Sequence, residues 1–237
     1  MIPILVENGF RAIAPDLIGF GKSDKFVDAD QYTYQKHLDW LNTFIDQLEL
    51  VDITLFCQDW GGLLGLRLAA ERPNLFTRII AANTTLPTGE IPFPEAMLMW
   101  QGFAKNSPDF DIGQVINMGT ATKLSPEVIA AYNAPFPSEE YKAGARIFPS
   151  LVPSEPDDPE AIKNREAWAK LSQWEKPFLT IFGDADPIMK GAEKYFQKLI
   201  PGTKGQAHQI ITAGHFIQED QGELLAHAII DFCEVKT

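Results

Sequence analysis

The stretch Phe56-Cys57-Gln58-Asp59-Trp60-Gly61-Gly62 decides how the rest of this chain is read. It is preceded by an apolar run of strand length, residues 51–56 (VDITLF), and followed by one of helical length, residues 61–70 (GGLLGLRLAA). A carboxylate and an indole thus stand side by side at the end of a buried strand, where an ionised group costs stability unless it is paired or used. The spacing of Cys57, Asp59 and Gly61 is small, x, nucleophile, x, small. A tight strand-to-helix turn demands that pattern. Backbone approaches backbone, so the flanking positions must be small, and the middle side chain is pushed clear of the sheet. Cys57 stands where glycine is commoner. The helix N-terminus beyond Asp59 favours its ionised form. Two plainer readings compete. Asp59 serves as an ordinary helix N-cap in one. In the other, Gly19-Phe20-Gly21 begins a phosphate loop, but Asp24 occupies the third glycine position and its charge repels a phosphate.

Further along, the apolar residues 178–182 (FLTIF) lead into Gly183-Asp184-Ala185-Asp186-Pro187. The run 209–212 then leads into Ala213-Gly214-His215-Phe216. Taken singly, Asp184 and Asp186 read as turn residues, and His215 as a loop histidine. Together with Asp59 they give nucleophile, acid and histidine in order, each beyond the carboxyl end of a strand. That is the order of the α/β-hydrolase triad. His37, His208 and His227 have no such setting and read as surface or packing residues.

The remaining pattern supports the same fold class. Strands are expected at 11–15, 51–56, 77–82, 178–182 and 209–212, with helices at 35–48, 61–70, 192–199 and 224–233. This alternation predicts an α/β fold, a mostly parallel sheet with helices on both faces. The rhythm breaks in residues 86–169, which are rich in proline and too long for a loop, so they read as an inserted helical cap. The core then comprises 1–85 and 170–237. A net charge of −12 argues against nucleic acid and against an anionic membrane surface. Two cysteines, and no Cys/His cluster at ligand spacing, argue against a disulfide scaffold or a metal site. No run approaches the ~20 apolar residues of a membrane span. The opening MIPILVENGF lacks a signal-peptide pattern. A cytoplasmic monomer is expected.

An aspartate nucleophile narrows the chemistry. It attacks saturated carbon, becomes an alkyl ester, and is released by water that a histidine activates. The leaving group is then a halide, which needs N–H donors in a dry pocket, or an epoxide oxygen, which needs acidic O–H groups. Trp60 carries such an N–H next to the nucleophile. With APDLIGFGKSDK (14–25), the Gln58 to Gly62 elbow, AYNAPFP (131–137) and AGHFIQED (213–220), the chain resembles the haloalkane dehalogenases of the α/β-hydrolase superfamily over essentially its whole length. The resemblance implies Asp59 as nucleophile, His215 as base and Asp186 as the carboxylate orienting it. Trp60 and Trp100 are implied as halide donors, and Phe148 as a wall of the substrate pocket. Trp40, Trp168 and Trp174 read as packing residues. A small halogenated hydrocarbon, water and the halide product are the expected partners, with no cofactor and no metal.

The resemblance also implies strands and a loop ahead of residue 1, one strand lying between 11–15 and 51–56; the chain is expected to lack them. Two alternatives follow. An epoxide hydrolase shares the Asp-Trp-Gly elbow, with Tyr132 and Tyr141 as candidate donors. The other is a truncated hydrolase-like fold without activity, retained for binding.

Overall fold

The computed structural model describes residues 1–234. Four strands form one parallel sheet: β1 (Ile53–Gln58), β2 (Phe76–Ala82), β3 (Phe178–Gly183) and β4 (Gln209–Ile211), in spatial order β1-β2-β3-β4. Registers such as Cys57 with Ala81 and Gly183 with Ile211 bring the carboxyl ends of the strands to one rim. Side chains alternate along the inner strands. Ile79, Ala81, Phe178 and Phe182 enter one hydrophobic core, and Ile80, Ala82, Leu179 and Ile181 enter the other. Both faces are therefore covered, which is why β3 is buried along its whole length.

The helices are α1 (Ile2–Glu7), α2 (Tyr34–Gln47), α3 (Trp60–Glu71), α4 (Glu95–Asn106), α5 (Ile112–Met118), α6 (Pro126–Asn133), α7 (Ala143–Ile147), α8 (Pro159–Leu171), α9 (Glu193–Leu199), α10 (Ile217–Asp220) and α11 (Gly222–Glu234). Local chemistry sets several starts. The Thr33 hydroxyl accepts from the Lys36 N–H at α2, and Ser125 and Asp158 play that part for α6 and α8. Pro126 and Pro159 open those last two helices, where a missing N–H costs nothing.

One expected strand is absent. Residues 11–15 belong to no sheet, and Arg11, Ile13, Ala14 and Pro15 are exposed. A strand exists by pairing, and among the described residues nothing lies beside this segment in register. β1 is accordingly an edge of the sheet and only half-buried.

Helices α4 to α8 lie between β2 and β3 in the chain. Ala104, Phe110, Ile112, Phe136 and Ala145 form a small core of their own there. A buried polar latch ties α8 to α3. Arg67 Nε donates to Asn164 Oδ1 at 2.9 Å, and its Nη2 donates to Glu160 Oε2 at 2.9 Å. Trp168 adds a bond from its indole N–H to the Leu86 carbonyl at 2.8 Å, and Trp174 is buried, so both are packing residues.

Candidate active site

Asp59 occupies the single position between β1 and α3. Its backbone is held at φ 48°, ψ −123°, a conformation that L residues rarely adopt. Two bonds to residues just past β2 help fix that backbone: its N–H donates to the Asn83 carbonyl at 3.1 Å, and its carbonyl accepts from the Thr84 hydroxyl at 2.7 Å. The side chain makes no capping bond to α3, so the N-cap reading fails. The crowding differs in detail from the expected pattern. A Cβ on Gly61 would meet Cys57 at an ordinary 3.9 Å, whereas one on Gly62 would fall 1.9 Å from the Thr84 hydroxyl. Gly62 is the residue on which the turn depends. Burial pushes the Cys57 thiol up to about 12, which leaves it protonated and unreactive.

The loops after β3 and β4 bring the other two candidates to the same rim. His215 Nδ1 lies 2.8 Å from Asp186 Oδ2, and His215 Nε2 lies 3.3 Å from Asp59 Oδ1. Asp186 is completely buried, and its second oxygen accepts from the N–H groups of Ile188 at 2.8 Å and Met189 at 3.1 Å. Burial alone would raise the pKa of that carboxyl. The His215 contact and the two backbone donors outweigh burial and hold it below the usual range. Asp184, by contrast, is exposed and accepts from the Ala213 N–H, a turn role. His215 sits between two carboxylates. Burial opposes its protonation, but bonding and attraction to Asp186 and Asp59 prevail and push it up to about 10. The Asp59 side chain keeps 38% of its surface exposed, so its free edge is open to a reactant.

Trp60 is buried at the start of α3, its ring 4.6 Å from Phe148 and 5.3 Å from Tyr34. Phe148 in turn touches Phe20 at 4.6 Å and His37 at 4.8 Å. Trp100 lies farther out, half-buried on α4 and stacked near Phe103 and Phe110. It packs against the small core that also meets Phe20. Phe148 and Phe20 therefore link Trp60 to the cluster against which Trp100 packs. Burial raises the pKa of Tyr132, a candidate epoxide donor, and the bond its hydroxyl gives to Glu219 raises it further.

Sequence reasoning assigned no part to several residues that build this site. Asn83 and Thr84 grip the elbow from the end of β2. The Gln58 amide lies 3.3 Å from His215 Nε2 and donates to the His215 carbonyl at 3.1 Å. The Gly119 carbonyl, just past α5, accepts from His215 N–H at 2.7 Å. Asp220 accepts from the N–H groups of Gly214, Ala121 and Thr122, each at 2.8 Å. A polar pair directly after an apolar strand, Asn83-Thr84, was the one available signal.

Residues 1–221 match the family model described as alpha/beta hydrolase fold. A haloalkane dehalogenase of Psychrobacter cryohalolentis is 57% identical over 233 residues, covering 98% of this chain and 77% of that protein. The haloalkane dehalogenase of Mycobacterium marinum is 49% identical over 232 residues, covering 98% and 78%. The chain belongs to the haloalkane dehalogenase family of α/β hydrolases. Among solved structures, the one described as the tetrameric haloalkane dehalogenase DpaA of Paraglaciecola agarilytica matches with a TM-score of 0.89 at 31% identity. That match covers 100% of this chain and 78% of the other. This dehalogenase-family chain has, among its described residues, no helix long and apolar enough to cross a membrane.

Proposed function

We propose that this protein hydrolyses haloalkanes to a primary alcohol and halide through an ester on Asp59. The observation that carries the mechanism is the contact series from Asp59 through His215 to the buried Asp186, at 3.3 and 2.8 Å. In the first step an Asp59 oxygen bonds to the carbon bearing the halogen, and the halide leaves with the electron pair. No base is required for that. In the second step His215 Nε2 takes a proton from water, whose oxygen attacks the ester carbonyl carbon; the alcohol leaves and Asp59 is restored. The sum is haloalkane plus water giving alcohol, halide and a proton.

The electrostatics order these steps. While Asp59 is ionised, two carboxylates hold the proton on His215. Alkylation turns Asp59 into a neutral ester and removes one of them, so His215 gives up its proton more readily when a base is needed. Trp60, and Trp100 from the other side of the aromatic wall, are the halide donors, and Phe148 lines the substrate pocket. Residues 86–169 act as a cap over a core made of 1–85 and 170–237. A cytoplasmic location is part of this proposal. The monomer expectation has one finding against it, the tetrameric description of the P. agarilytica relative.

His215→Phe is the direct test. The variant should release one halide per site from 1,2-dibromoethane in a burst, with subsequent turnover down by about 10²–10⁴-fold. Intact-mass analysis and peptide mapping should find a stable adduct on Asp59. Steady halide release without an adduct would remove His215 from the role of base. Diol formation from styrene oxide by the native protein, without halide release, would favour the epoxide reading.

A further inference from the structure

Asn83 follows β2 directly, completely buried and with a backbone φ of 36°. Its side-chain amide makes three short bonds. Nδ2 donates to the Gly214 carbonyl at 2.7 Å and the His215 carbonyl at 3.0 Å, and Oδ1 accepts from the Gly183 N–H at 2.7 Å. The Asn83 backbone carbonyl, separately, accepts from Asp59 N–H. Gly183 closes β3, three residues before Asp186. One buried residue therefore joins the loops that carry the nucleophile, the acid and the base.

We propose that Asn83 is a positioning residue for the ester-hydrolysis step. The chemistry of its amide is matched to its partners: two carbonyls require a donor, and one N–H requires an acceptor. Neither a carboxylate nor an aliphatic side chain supplies both. The consequences for the two steps differ. Asp59 is held through the Asn83 backbone, which any substitution retains. His215 is held through the side chain, at its own carbonyl and at the residue before it. Loss of the amide loosens the base and leaves the nucleophile in place. Misplacing a base by about 1 Å is enough to cost on the order of 100-fold in the step it serves.

This inference rests on the Asp59–His215–Asp186 reading, and the two fail in different ways. The experiment compares native protein with Asn83→Gly, which accepts the positive φ, in rapid-quench turnover of 1,2-dibromoethane. Circular dichroism and thermal unfolding are measured on the same samples. The expected result is a first halide released within about 3-fold of the native rate, and ester hydrolysis slowed about 30- to 100-fold. The alkylated enzyme should accumulate in the mass spectrum, and KM should fall together with kcat. Should Asn83→Gly not fold, Asn83→Asp keeps an acceptor for the Gly183 N–H and the backbone geometry, and sets a carboxylate oxygen instead of a donor against the Gly214 and His215 carbonyls. The same split is expected of it. Unchanged hydrolysis in a folded variant, or equal slowing of both steps, overturns the proposal while the triad stands. A folded native protein that forms no ester overturns both.

Discussion

The rim of the sheet and the helices inserted between β2 and β3 hold their side chains by different physics. At the rim, Asp59, Asn83, Asp186 and His215 are pinned by short hydrogen bonds with fixed donors and acceptors. In the helices, Trp100, Phe103, Phe110 and Phe136 are held by ring packing, which tolerates sliding. Leu98, Met99 and Phe103 on α4 are also exposed. On the proposed mechanism, reaction geometry belongs to the hydrogen-bonded part and substrate fit to the packed part, since catalysis tolerates displacement far less than apolar contact does. The two parts are joined by hydrogen bonds of Gly119 with His215, Asp220 with Ala121 and Thr122, and Arg67 with α8, and by Phe148 packed on Trp60 and Phe20.

Substitution of Trp100 puts the comparison under the most strain. If an indole held only by packing still donates to the halide, Trp100→Phe should lower turnover by about 100-fold. Halide quenching of tryptophan fluorescence should weaken with it. A change under about 3-fold, with halide affinity intact, would confine Trp100 to the aromatic cluster and leave the halide to the rim.

Cutting one of the joints should have a smaller effect. Asp220→Ala removes the acceptor shared by Gly214, Ala121 and Thr122. These groups are partly exposed, so water replaces much of the loss, and about 1–2 kcal/mol of stability should go. For a chain of this size that is a fall of about 2–8 °C in Tm, read by thermal unfolding. Halide release should slow by less than about 10-fold, since Asn83 and Gln58 still hold His215. A loss as large as that of His215→Phe would mean that the inserted helices, not the rim, set the position of the base.

The last prediction concerns pH. His37 lies on α2, buried against Phe148, Trp40 and Tyr32. Burial pushes it down to about 4, so it stays neutral in the folded state while the unfolded chain binds a proton below about 6.5. The stability it contributes is therefore full above about pH 6.5 and is lost as pH falls toward 4. His215 acts at the other end. Its pKa is raised to about 10, so its stabilisation is full below about pH 6.5 and is lost as pH rises through 10. Thermal unfolding from pH 4 to 10 should show both slopes. His37→Phe should flatten the acid one alone, and His215→Phe the alkaline one alone.

Much of the molecule was legible along the chain. Parallel strands buried on both faces read as apolar runs, so β1, β2, β3 and β4 were found within a few residues of their ends. The elbow and the loops at Asp186 and His215 were legible because they punctuate those runs with glycine and charge. Residues 11–15 misled for a definite reason: an apolar run describes what a segment could bury, not whether a partner strand lies beside it. The same limit applies to the site. Asp184 and Asp186 are alike in sequence, and only the fold sends one to His215 and the other to a turn.

What the sequence determined by itself was the set of groups proposed to react, because their types and spacing follow from local turn chemistry. What the tertiary structure decided was everything that holds them. Asn83 is 131 residues from Gly214, and Asp220 is 99 from Ala121. A hydrogen bond depends on the last half ångström between two atoms, and across such separations that distance is set by packing of the whole sheet. No local pattern records it.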